Sequence, residues 1–137
     1  MTKTIPIICL LFSTSAIADW VKIQRGPASS VEKLIDEGAI RQTGPMNTMR
    51  RVWEITNYAQ PDTDKMLSTK NYIEYDCMNN RVRILEETRF AERGAQGPKL
   101  PPAPNVVLDN WMPIERGSIS RAVLMEVCPG TDDDSNS

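Results

Sequence analysis

The chain has 137 residues, a formal net charge of −2 and no histidine. That length suits one domain and is too short for two ordinary ones. Near-neutral charge excludes the basic excess of a nucleic-acid binder, and the missing histidine removes Ser-His-Asp and Cys-His catalysis together with the commonest zinc ligand.

Residues 1–18, "MTKTIPIICLLFSTSAIA", have an early lysine, an apolar run from Ile5 to Phe12 and the small-x-small ending Ala16-Ile17-Ala18. They read as a secretory signal cleaved after Ala18. The apolar run is too short to span a bilayer, and nothing later is apolar enough to try. The expectation is an exported chain, in the periplasm or on the outer cell surface, with a folded domain over 19–130. The end, "TDDDSNS" over 131–137, reads as a disordered acidic tail. Cleavage removes Cys9 and leaves Cys77 and Cys128. Two cysteines in an oxidising compartment most often form one disulfide, and a loop of about 50 residues is then worth roughly 4 kcal/mol. A free thiol or a metal ligand are the alternatives, both weakened by the lack of histidine.

The first strand is expected in "DWVKIQR", where Trp20 and Lys22 alternate with Val21 and Ile23. Residues 29–41 are ambiguous. Ser29 and Glu32 have capping-box spacing and Val31, Leu34 and Ile35 share a helical face, but Gly38 interrupts it. A strand over Glu32 to Ile35 and an extended piece over Ile40 to Thr43 are favoured. "TGPMNT" is a loop. "MRRVWEITNY", residues 49–58, reads as a strand with Val52, Glu54, Thr56 and Tyr58 on one side and Arg51, Trp53, Ile55 and Asn57 on the other.

A loop around Pro61 precedes "MLSTKNYIEYDC", a strand that enters a hairpin. Asn79 and Asn80 are suited to the centre of a two-residue turn, which predicts Cys77 opposite Val82 and Asp76 opposite Arg83. The return strand runs to about Phe90. "ERGAQGPKLPPAP" is too rich in Gly and Pro for helix or interior sheet and reads as an exposed, partly extended loop. Extended chain around Trp111 and Pro113 leads to Ser118, which caps a helix whose Val123, Leu124 and Val127 recur at helical spacing. Pro129 and Gly130 stop it, placing Cys128 at the helix end, where a bridge to Cys77 would staple helix to sheet. The fold class is therefore α+β: a mainly antiparallel β-sheet with a C-terminal α-helix packed on one face and a helix-to-sheet disulfide.

Chemistry is sparse. Gly94 and Gly97 form no phosphate loop, Glu86 and Glu87 point to opposite faces of a strand, and no residue set calls for a metal or a cofactor. Arg50, Arg51, Arg81, Arg83 and Arg89 lie on neighbouring strands. They either gather into a basic face for sulfated sugars or acidic protein segments, or are neutralised by Glu54, Glu74, Asp76 and Glu87; the second reading is favoured. Trp20, Trp53 and Trp111 read as core anchors.

The strings "VWEITNYAQP", "LSTKNYIEYDC", "NRVRIL", "NWMPIERGS" and the closing "VC" resemble, in order and spacing, the surface-adhesin protein E family of Gram-negative bacteria. The resemblance covers about residues 19–129. It implies an antiparallel sheet with a C-terminal helix joined to it by a disulfide between Cys77 and Cys128. It also implies an envelope protein that binds host matrix or plasma proteins; the missing catalytic set makes the reading non-enzymatic, with exposed sheet residues or the Pro-rich loop from Gly94 to Pro104 as the expected contact surface. Two other readings are a periplasmic structural or envelope-stress protein without external ligand, in contact at most with envelope proteins, and a small-molecule binder using the gap between helix and sheet. No pattern speaks to oligomeric state.

Overall fold

β-branched and aromatic residues in period-two alternation form eight strands in the computed structural model, which describes residues 18–23 and 31–130. The expected signal segment (apart from Ala18), Cys9 and the acidic tail lie outside the described residues. The strands are β1 (Trp20–Ile23), β2 (Val31–Asp36), β3 (Arg41–Thr43), β4 (Met49–Tyr58), β5 (Ser68–Asp76), β6 (Arg81–Glu92), β7 (Gln96–Leu100) and β8 (Met112–Pro113). They form one sheet in the order β1-β2-β4-β5-β6-β7, with β3 on the free stretch of β4 and β8 on that of β6. Every pairing is antiparallel. A meander of this kind needs only short connections, which suits strands with one α-helix among the described residues.

That helix, α1 (Ile119–Val127), begins where Ser118 accepts a hydrogen bond from the Arg121 backbone N–H, and it buries Val123, Leu124 and Val127. It covers one face of the sheet. Val52 lies opposite Ile73 and Tyr75 opposite Val82, and these four, with Ile23, Ile35 and the buried helix residues, make the core. The gap between helix and sheet is thus filled by side chains.

Cys77 and Cys128 are joined, with Cα atoms 5.7 Å apart across 51 positions of sequence. The fold class read from the sequence is the one observed: an antiparallel sheet, a C-terminal helix on one face, and a disulfide between them.

The hairpin register differs from the expected one. Asp76 pairs with Arg81, Tyr75 with Val82 and Glu74 with Arg83, so Cys77 to Asn80 form a four-residue loop. The cause is Asp76, whose Oδ1 accepts from the Met78 and Asn79 backbone N–H groups and ends the strand early. Only Asn80 of the two asparagines takes positive φ (48°). Cys77 leaves the ladder and donates its backbone N–H to Thr48 O.

Part of the Gly- and Pro-rich stretch is also strand. β7 pairs Lys99 with Phe90 and Leu100 with Arg89 at the edge of the sheet, where Pro98 has no outer ladder to interrupt. At Gly97 (φ 75°) a Cβ would lie 2.7 Å from Glu92 Oε2, so this close approach favours glycine.

The helix-covered face also buries charge. Glu54 is 1% exposed. The Tyr75 hydroxyl donates to its Oε1, and Lys33 Nζ sits 3.0 Å from its Oε2. Burial, and then the neighbouring Glu54 charge, push the Tyr75 hydroxyl well above its usual range, so it remains a proton donor.

Candidate ligand-binding face

Among the described residues the opposite face carries no helix. Strand alternation puts on it what the core does not take: Trp20 and Lys22 from β1, Arg51, Trp53 and Ile55 from β4, Lys70, Tyr72 and Glu74 from β5, and Arg83, Thr88 and Phe90 from β6. None of the three tryptophans is fully buried, and Trp20 and Trp53 lie on this open face rather than in the core. The expectation of core anchors fails because the helix covers only the other side.

Ions fill one end of the face. Glu74 lies between Arg51 (2.6 Å) and Arg83 (2.6 Å) and also accepts from the Thr43 hydroxyl at 3.0 Å. Burial would raise its carboxyl, but these three donors together hold it below the usual range. Asp76, also buried, is held low by Asn79, Arg81 and backbone donors; its ion pair with Arg81 is 2.8 Å long. The Trp111 ring packs against both Arg81 and Arg83, each guanidinium 4.5 Å from the ring centre.

Of the five arginines singled out from the sequence, Arg51, Arg81 and Arg83 therefore share this face, each paired with a carboxylate. Arg50 and Arg89 are buried. Arg50 donates to the Asn47 and Met49 carbonyls. Arg89 reaches Asp62 (3.0 Å), Asp64 (3.1 Å) and Pro101 O (3.0 Å), tying two loops to the sheet. These contacts, led by the Asp64 hydrogen bond, raise its guanidinium further above the ordinary value.

The other end of the face is a cleft of about 440 Å³. Ile55, Phe90 and Thr88 form its floor, with Trp20 and Trp53 on one side and the β6–β7 hairpin on the other. The hairpin is held there by two backbone donors, Gly94 N–H to Asn57 Oδ1 at 2.6 Å and Ala95 N–H to Ser68 Oγ at 3.0 Å, and by the Arg93 guanidinium, which donates to Tyr58 O at 2.9 Å. Trp53 stacks on Tyr72 with ring centres 4.6 Å apart. The Lys70 ammonium lies 5.1 Å from the Trp53 ring centre and 5.9 Å from that of Trp20. Lys99, opposite Phe90, is the second cation lining the cleft.

Sequence reasoning missed this cleft, although its signal was present. Trp53 and Ile55 alternate with Val52 and Glu54, so once Val52 is assigned to the core, Trp53 must face away from it. The missing piece was β7, whose hairpin supplies the far wall.

A family profile described as Surface-adhesin protein E matches residues 20–129. No curated protein and no solved structure matches the chain. The match runs from the first residue of β1 to just past the helix that carries Cys128, and on that span the chain belongs to the Surface-adhesin protein E family.

Proposed function

We propose that this surface-adhesin-like protein is an exported, non-enzymatic envelope protein that acts by binding other proteins through the helix-free face of its sheet and the adjoining β6–β7 hairpin. The observation that carries this reading is the division of the two faces. One is closed by α1 and the disulfide, and the other leaves aromatic rings and cations open to solvent. Aromatic and arginine side chains on a rigid sheet are the residue types that anchor protein contacts. Host matrix or plasma proteins are the partners favoured by family membership, with envelope proteins as the alternative. Among the described residues no helix is long and apolar enough to cross a membrane.

Protease shaving of intact cells, followed by detection of the chain, tests the location. Loss of the chain on shaving supports the outer surface, and binding of the purified protein to immobilised matrix proteins should then fall in a Trp53→Ser/Arg83→Ser variant. Survival of the chain in intact cells, together with its loss after outer-membrane permeabilisation, removes the adhesin reading in favour of a periplasmic role.

A further inference from the structure

We propose that the cleft between Trp53 and the β6–β7 hairpin is a site for an acidic saccharide. This deepens the reading of the open face as the functional one by naming a ligand class for one end of it. The side chains with unengaged hydrogen-bonding capacity in the cleft are mainly donors. Among the described residues, Lys70 and Lys99 are ammonium groups with no ion pair, Thr88 offers a hydroxyl, and no carboxylate lines the site. A ligand that fits must therefore be rich in acceptors and carry negative charge.

The remaining surface decides between anions. A phosphate site usually takes backbone N–H groups, but those of Gly94 and Ala95 are already given to Asn57 and Ser68. An acidic peptide would meet the lysines and leave the indole walls, and the small part of Ile55 and Phe90 exposed at the floor, without apolar contact. A uronate-type sugar ring offers an apolar C–H face, a carboxylate and several hydroxyls within one compact body. At about 440 Å³ the cleft lies at the small end of the usual range for ligand sites, which suits one or two rings rather than an extended chain. Lys70 is held over two indole rings, which restricts its ammonium and lowers the entropy lost on pairing with the carboxylate.

The test uses the purified chain carrying Trp111→Phe, so that tryptophan fluorescence reports mainly on Trp20 and Trp53. A hyaluronan-derived glucuronate disaccharide, neutral cellobiose and an aspartate hexapeptide are titrated separately. The expected result is saturable quenching by the acidic disaccharide and binding about tenfold weaker for cellobiose and for the peptide. Lys70→Met should lose about tenfold in affinity and Lys70→Arg should retain most of it. No saturable change with the acidic disaccharide, equal binding of the peptide, or an unaffected Lys70→Met variant would each overturn the proposal. None of these outcomes depends on cell-surface exposure or on a partner protein, so failure here leaves the protein-contact reading standing, and failure of the shaving experiment leaves this one standing.

Discussion

Removing the bridge between Cys77 and Cys128 should take away much of the stability of the domain. It joins residues 51 positions apart, and in the chain-entropy model the closed loop restricts the unfolded chain by about 4 kcal/mol, against the roughly 5–15 kcal/mol that holds an ordinary domain together. The clean perturbation is Cys77→Ala/Cys128→Ala. Serine is a poorer choice because Cys128 is 2% exposed, and a buried hydroxyl there would add its own cost. Urea unfolding is the assay. With a slope near 2 kcal/mol/M, the loss should move the midpoint down by roughly 2 M. Reduction of the parent protein should reach the same midpoint, because α1 still buries Val123, Leu124 and Val127 when the bridge is gone. A midpoint that falls by less than about 0.5 M with an unchanged slope would refute the argument that loop closure is the main contribution.

Three further outcomes are expected. The carboxyl of Glu74 is held low by its arginines in the folded state, so its contribution is present above the ordinary value of 4.5 and is lost as pH falls through the folded value; acid titration of the unfolding midpoint should show this, and Glu74→Gln should cost about 1–3 kcal/mol at neutral pH and flatten the acid limb. Ser118→Ala removes the cap of α1 and should cost about 1 kcal/mol, read by urea titration. Asp19 N–H donates to Asp36 Oδ1 at 3.2 Å, with Glu37 and Glu126 nearby, so a chain beginning at Asp19 would place an α-ammonium against carboxylates. Acetylating that amine should lower Tm by roughly 2–4 °C in the parent and by less in Asp36→Asn, where Glu37 and Glu126 remain, and the difference should fade as pH rises past about 8.

How far the fold could be read depended on whether local pattern or long-range contact decides each element. β4 was legible to its ends because ten residues of alternation leave no other reading of Met49 to Tyr58. The helix was legible from Ser118 and three apolar positions. The β5–β6 register was not, because two asparagines suggest a tight turn while the carboxylate of Asp76 captures two backbone donors first. β7 was hidden because Gly97 and Pro98 are strand breakers everywhere except at an edge. The cleft was lost with it: Lys99 and the hairpin tip come into place only when β7 pairs with β6.

The division of labour between the faces, and the placing of the Glu74 ion pairs at the far end of the open one, leave the cleft testable with little effect on stability. The disulfide, the apolar core and the Glu54–Tyr75–Lys33 group all lie on the helix side. At the cleft, among the described residues, Lys99 has no ion pair and Lys70 is held only by contacts with the partly buried rings of Trp20 and Trp53. Lys70→Met and Lys99→Met should therefore change stability by no more than about 1 kcal/mol each, since cation–π contacts at 5.1 and 5.9 Å lie near the outer reach of that interaction. Urea midpoints within about 0.5 M of the parent would mean that any loss of saccharide binding in these variants reports on the site itself. A larger fall would show that the cations hold the hairpin over the sheet, and that the cleft is part of the fold's stability rather than a surface left open for a ligand.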